Sequence, residues 1–302
     1  MEFNNTQIAF SHKSDYELKR AYYLFKLLSL GSISKIGRKA LKLLVKLNFP
    51  IDLLILKTIY AQFCGGRDIF ECEEVILNLK KNGVYSILDY SIEGSISEID
   101  FEISMNKCLN ILSECEAKNL SKFIVFKPSA VGRFSLYKKV SSKDTLSFEE
   151  ESEWKDIQTR FEKICQESSK KNIKVLVDAE ESWIQSAIDE LVLQMMKKYN
   201  SKNAVVFNTI QAYRRDRFEY LKQLHQSNSG QFKIGVKLVR GAYMEKERKR
   251  ALRYNYSSPI CDNKEQTDQI FNNSLEFIIS NIDDFELFIG SHNEDSNRLS
   301  TK

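Results

Sequence analysis

Lys237 lies in the apolar run Ile234-Gly235-Val236-Lys237-Leu238-Val239, which leads straight into Arg240-Gly241-Ala242-Tyr243. The run reads as a strand rich in β-branched residues, and a lysine inside a strand buried on both faces needs a neutralising group at the same depth. A ligand supplies one, held where the strand ends in a glycine turn. Five other apolar runs close on polar residues: Asp89 with Glu93, Lys127 with Ser129, Asp178 with Glu180 and Glu181, Gln211 with Tyr213, and His292 with Asn293. A single polar residue there usually caps the next helix, and Glu93, Glu181 and Asn293 fit that role. A whole succession of them argues for one shared pocket at the strand ends. Within it Lys127 and Asp178, on neighbouring strands, offer an ion pair, whose alternative role is to fill the centre of the fold.

The elements that must position these residues follow from periodicity. Short apolar runs at 85–90, 123–127, 173–178, 204–208, 233–239 and 285–289 are separated by segments of helical spacing at 97–119, 149–170, 183–199 and 215–226. Repeated strand-helix-strand units build a parallel sheet with right-handed crossovers. The expected class is α/β, a (β/α)8 TIM-type barrel that is incomplete: about six strands are legible, and nine residues after Asn293 leave no room for two more. Residues 15–79 are helical throughout, so an N-terminal helical arm (1–84) precedes the partial barrel (85–302). In the arm, the basic helix 35–46 ends at Pro50 and another starts at Ile51. Its lysines read as a solvated face, the alternative being contact with an anionic lipid surface.

Composition narrows the function. The chain has 302 residues, 42% hydrophobic and 28% charged, the balance of a globular protein. A net charge of +4, without basic runs interleaved with aromatics, does not call for nucleic acid as a partner. The six cysteines form no C-x-x-C pair and only three histidines exist, widely separated, so no metal centre is expected and the thiols read as free in a reducing compartment. The start lacks a secretion signal, its acids argue against a transit peptide, and no apolar stretch is long enough to span a membrane. An intracellular setting is expected. There is no G-x-G-x-x-G, no P-loop and no G-x-S-x-G elbow, so strand ends rather than a glycine-rich loop must hold any cofactor.

In order and spacing, Leu88-Asp89-Tyr90-Ser91, Phe126-Lys127-Pro128-Ser129-Ala130, Val177-Asp178-Ala179-Glu180-Glu181-Ser182, Gln211-Ala212-Tyr213, Lys237-Leu238-Val239-Arg240-Gly241-Ala242-Tyr243 and Gly290-Ser291-His292-Asn293 resemble the motifs of proline dehydrogenases. The helical arm resembles that of the monofunctional members. The resemblance implies an FAD-dependent flavoprotein that oxidises L-proline to 1-pyrroline-5-carboxylate and passes electrons to a quinone. It implies a cytoplasmic enzyme peripheral at the inner face of the membrane, or a mitochondrial one in a eukaryote. Matched position by position, it implies Lys127 at the substrate and Asp178 in the proton and charge network beside it. Gln211 meets the flavin ring, Lys237 lies by its N5 and N1 edge, and Val239 supplies backbone contacts. Gly241, with Ala242, lets the chain approach the cofactor, Tyr243 buttresses the pocket and His292 lines the phosphate or adenosine region.

A cation beside the ring also makes physical sense, since reduced flavin carries negative charge. One motif of the family has no match: the Arg-Arg-x-x-Glu helix that clasps the substrate carboxylate, because Arg214-Arg215 follows Gln211-Ala212-Tyr213 and belongs to another helix. The chain therefore reads as a fragment of a longer frame. Other readings are a truncated, non-catalytic barrel serving as an interaction module, a hydroxyproline dehydrogenase, and a Schiff-base lyase using Lys127 or Lys237.

Overall fold

The computed structural model describes residues 3–29, 56–89 and 97–301. The basic stretch 35–46, Pro50 and Ile51, together with Tyr90, Ser91 and Glu93, lie outside the described residues. Contacts divide the chain into two compact units, Met1–Ser86 and Ile87–Lys302.

The first unit is helical. It contains α1 (Thr6–Ala9), α2 (Asp15–Ser29), a π-helical turn (Leu56–Tyr60) running into α3 (Ala61–Phe63), and α4 (Ile69–Lys81). Asp68 caps α4 by accepting from the Glu71 amide. The turn between α3 and α4 holds Gly65-Gly66, where a Cβ on Gly66 would fall 2.6 Å from that of Glu71, so only glycine fits.

In the second unit six parallel strands form one sheet in chain order: β1 (Leu88–Asp89), β2 (Phe123–Phe126), β3 (Lys174–Val177), β4 (Val206–Gln211), β5 (Ile234–Val239) and β6 (Phe285–Gly290). The sheet is that of an α/β barrel, open between β1 and β6 among the described residues. Around it lie α5 (Glu98–Lys118), α6 (Phe134–Ser141), α7 (Phe148–Lys170), α8 (Ser182–Tyr199), α9 (Arg217–Asn228), α10 (Met244–Tyr254), α11 (Lys264–Ser280) and α12 (Glu294–Leu299). Local chemistry sets the starts of the long helices: Ser97 with Asp100, and Ser147 with Glu150, form reciprocal capping boxes on α5 and α7.

Two boundaries differ from the expectation in ways that matter. Among the described residues the first strand starts at Leu88, not at Tyr85. The fourth begins later and runs through Gln211, because Thr209, Ile210 and Gln211 pair with Lys237, Leu238 and Val239. Polar side chains broke the apolar pattern there, yet ladder hydrogen bonds carry the strand on.

Alternation and register stack the inward residues into layers. Val125, Leu176, Phe207, Gly235 and Glu286 stand at one level. A Cβ on Gly235 would meet the Val206 carbonyl at 2.3 Å and the Phe207 ring at 3.0 Å, so this glycine is what lets the large ring lie inside. At the amino end, Lys174 pairs with Glu286 and lies over the rings of Phe123 and Phe207, at 5.7 and 5.6 Å. Buried Asn200 fixes the start of β4 and the entry to β5. It accepts from the Val205 and Val206 amides and donates to the Val206 and Lys233 carbonyls, all at 2.9 Å.

Candidate active site

One level toward the carboxyl ends, the register that pairs Phe126 with Val177 and Thr209 with Lys237 brings Lys127, Asp178, Thr209 and Lys237 together. Asp178 lies between the two lysines, with Lys237 Nζ 2.5 Å from Oδ1 and Lys127 Nζ 3.9 Å from Oδ2. The closer partner is therefore Lys237, two strands away, rather than Lys127 on the neighbouring strand. Side chains in β5 and β3 both lean inward across β4, whose Thr209 is short and donates to the Val177 carbonyl at 2.6 Å. All three charged side chains are less than one-fifth exposed. One carboxylate neutralises only one ammonium, so this layer keeps one net positive charge, poorly screened at that depth. It suits an anionic ligand.

The layer floors a cavity of about 580 Å³ walled by the strand ends. Gln211, Val239, Gly241, Ala242, Tyr243 and His292 all line it along with Lys127, Asp178 and Lys237, so the residues that the family motifs single out for substrate and cofactor border one space. Gln211 is buried; its Nε2 donates to the Glu180 carbonyl at 3.1 Å, which leaves its buried Oε1 without a hydrogen-bond partner. Gly241 has φ +125, and a Cβ there would fall 2.5 Å from the Tyr213 ring. Only glycine lets the backbone pass that ring. Tyr213 in turn is buried, which pushes its phenol up to about 12, so it stays protonated. Tyr243 precedes α10, and His292 stands exposed at the rim.

Other residues took different roles. Asn293 is a helix cap, accepting from the Ser296 amide at 2.9 Å. Glu181 is buried and paired with Lys246, and Glu180 is buried against Ser129. Asp89 is exposed at the end of β1 and does not border the cavity. Arg214 and Arg215 lie before α9, engaged by Asp216 and Asp262. Arg240 reaches from β5 to Asp268 at 2.7 Å and to Ser291 at 2.6 Å, stacked on Phe271 at 4.3 Å, so it ties the β6 loop and α11 to the site. Thr209 and Lys264 also line the cavity, and neither belongs to the motifs singled out in the sequence. For Thr209 the signal was available, since it lies two residues before Gln211 on the same inward face. No group of three or more metal-ligating side chains occurs among the described residues.

A second cavity of about 740 Å³ adjoins the first, sharing the Arg240–Tyr243 turn and Lys264. The two spaces with a common wall accommodate a ligand longer than a single amino acid.

Fold and site together define an α/β barrel-type protein with a charged cavity at the carboxyl ends of its parallel strands. A sequence model described as Proline dehydrogenase matches residues 72–302, and the chain belongs to that family. It is 32% identical over 235 residues to the carbapenem antibiotics biosynthesis protein CarD of Pectobacterium carotovorum subsp. carotovorum, covering 78% of this chain and 61% of that protein. With the mitochondrial proline dehydrogenase 1 of Dictyostelium discoideum it shares 30% identity, covering 99% of this chain and 60% of the relative. The chain thus spans about three fifths of the length of these relatives. Among solved structures, proline utilization A from Bdellovibrio bacteriovorus, inactivated by N-propargylglycine, superposes with a TM-score of 0.72 at 16% identity, covering 98% of this chain and 32% of that one. That likeness concerns the fold.

Proposed function

We propose that this chain carries the proline-oxidising site of an FAD-dependent proline dehydrogenase, forming 1-pyrroline-5-carboxylate. The observation that carries the reading is the Lys127–Asp178–Lys237 layer flooring a cavity at the strand ends, in a chain of this family. FAD fits what is there: a buried Gln211 Oε1 awaiting a donor, a glycine that brings the backbone close, a surplus cation, and a second cavity continuous in its walls with the first. When bound, FAD supplies the two-electron acceptor.

The protein's residues do the rest. Lys127 meets the amino acid, and Asp178 fixes both ammoniums and balances charge as the ring nitrogen loses its proton. Lys237 favours negative charge building up beside it. Gln211 orients the cofactor through Oε1, Val239 and Ala242 offer backbone, Tyr243 closes the wall and His292 marks the phosphate or adenosine end. Quinone is the electron acceptor, which sets the protein against a membrane peripherally. No helix among the described residues is long and apolar enough to cross one.

The reading is tested with protein purified in the presence of FAD. A flavin absorption band and dye reduction driven by L-proline, faster than by hydroxyproline, are expected. A colourless protein unresponsive to added FAD would contradict it, and borohydride trapping of a carbonyl substrate on Lys127 would point to lyase chemistry instead.

A further inference from the structure

Glu180 lies off the cavity wall and is 5% exposed, yet both of its carboxylate oxygens are engaged. The Ser129 amide donates to Oε1 at 2.9 Å and the Ser129 hydroxyl to Oε2 at 2.6 Å. Its main-chain carbonyl accepts from Gln211 Nε2 at 3.1 Å. One residue therefore touches the turn that follows Lys127 and the strand end that carries Gln211. The same turn is pinned from outside, where Tyr137 Oη donates to the Pro128 carbonyl at 3.0 Å and Arg160 Nη1 to the Val131 carbonyl at 3.1 Å.

Burying a carboxylate is costly, and burial pushes this one above the usual range against the pull of the Ser129 bonds and of Lys127. A group that stabilised the fold alone could be neutral. A carboxylate accepts from two donors at once, which fixes the turn in orientation as well as position.

We propose that Glu180 is a positioning residue, which holds the Pro128–Ala130 turn so that Lys127 is aimed into the cavity and, through its carbonyl, turns the Gln211 amide so that Oε1 faces the ligand. This rests on Lys127 meeting the amino acid. Glu180 itself touches neither substrate nor cofactor.

The test is a double-mutant cycle in the FAD-loaded chain with Glu180→Gln, Lys127→Met and both, reading KM and kcat separately, with Ser129→Ala as a milder variant should Glu180→Gln fold poorly. Glu180→Gln is expected to raise KM for L-proline about tenfold, the scale of a lost bond to a charged group, and to add nothing once Lys127 is gone. Lys127 acetylation, followed by peptide mass spectrometry beside Lys237 in the same digests, needs neither flavin nor proline. Its rate should change severalfold in Glu180→Gln and Ser129→Ala while that of Lys237 changes less. Equal effects of Glu180→Gln with and without Lys127, or unchanged Lys127 acetylation, would overturn the proposal. A wild-type chain inert toward proline would overturn the functional reading instead, and the acetylation rates would still decide the role of Glu180.

Discussion

A half-buried lysine inside a β-strand is the residue-scale fact around which the site is built. Lys237 and Lys127 share one carboxylate, and the surplus charge faces the cavity. Replacing Lys237 with Met keeps the length and deletes the charge. Reduced flavin should then lose stabilisation, lowering the two-electron potential by on the order of 30 mV, or about 1.4 kcal/mol, with a greater loss of turnover than of affinity for proline analogues. Spectroelectrochemistry of both proteins checks this, and equal potentials would reject the role. At Gly241 the constraint is steric. Alanine would combine a backbone conformation of φ +125 with a clash against Tyr213, so Gly241→Ala should destabilise the fold by about 3 kcal/mol and weaken FAD retention, measured by denaturant titration.

Glu180 sets a pH signature. Its folded-state pKa is raised above the unfolded value, so the native state binds more protons between the two values and stability falls as pH rises through that window. Its favourable contribution is complete below the ordinary carboxylate range and is lost above the raised value. The Tm of wild type minus that of Glu180→Gln should therefore be more positive at pH 4 than at pH 8. A difference that grew with pH would contradict the direction.

At the scale of elements, the β3–α8 loop is a hub. Asp178 reaches β5 and β2, Glu180 the turn after β2, Glu181 Lys246 on α10, and Ser182 Glu247 on the same helix. Glu181 makes no side-chain cap for α8, and fully buried Glu247 caps it from α10 instead, accepting from the Ser182 amide at 2.6 Å and hydroxyl at 2.7 Å. Glu247→Ala should cost about 2 kcal/mol, whereas Lys249→Ala, removing an exposed pair with Glu245, should stay within about 0.5 kcal/mol by chemical denaturation.

Sequence could show these polar residues clustered after the strands because strand alternation is a local signal. It could not show which partner each would take, since Lys237 and Asp178 are 59 residues apart and meet only through sheet register. Gln211 was legible as a polar residue after an apolar run, but its place inside β4 depends on pairing with β5. The helix at 244–254 was hidden because its sequence is polar, Met-Glu-Lys-Glu-Arg-Lys-Arg at its start, and it buries only Glu247 and Ala251.

For the molecule as described, parallel strands follow one another in chain order, and the ends of β2 through β6 converge on one cavity that their polar residues line. The central claim is that the charged layer at the strand ends is where proline is oxidised. Anaerobic mixing of the FAD-loaded protein with L-proline, following the flavin band in wild type and in Asp178→Asn, tests it most directly. Asparagine keeps the shape but leaves both lysines without a carboxylate, so wild type should bleach on mixing with proline and the variant at least a hundredfold more slowly, a loss of about 2.7 kcal/mol. Bleaching at equal rates in the two proteins would contradict the account.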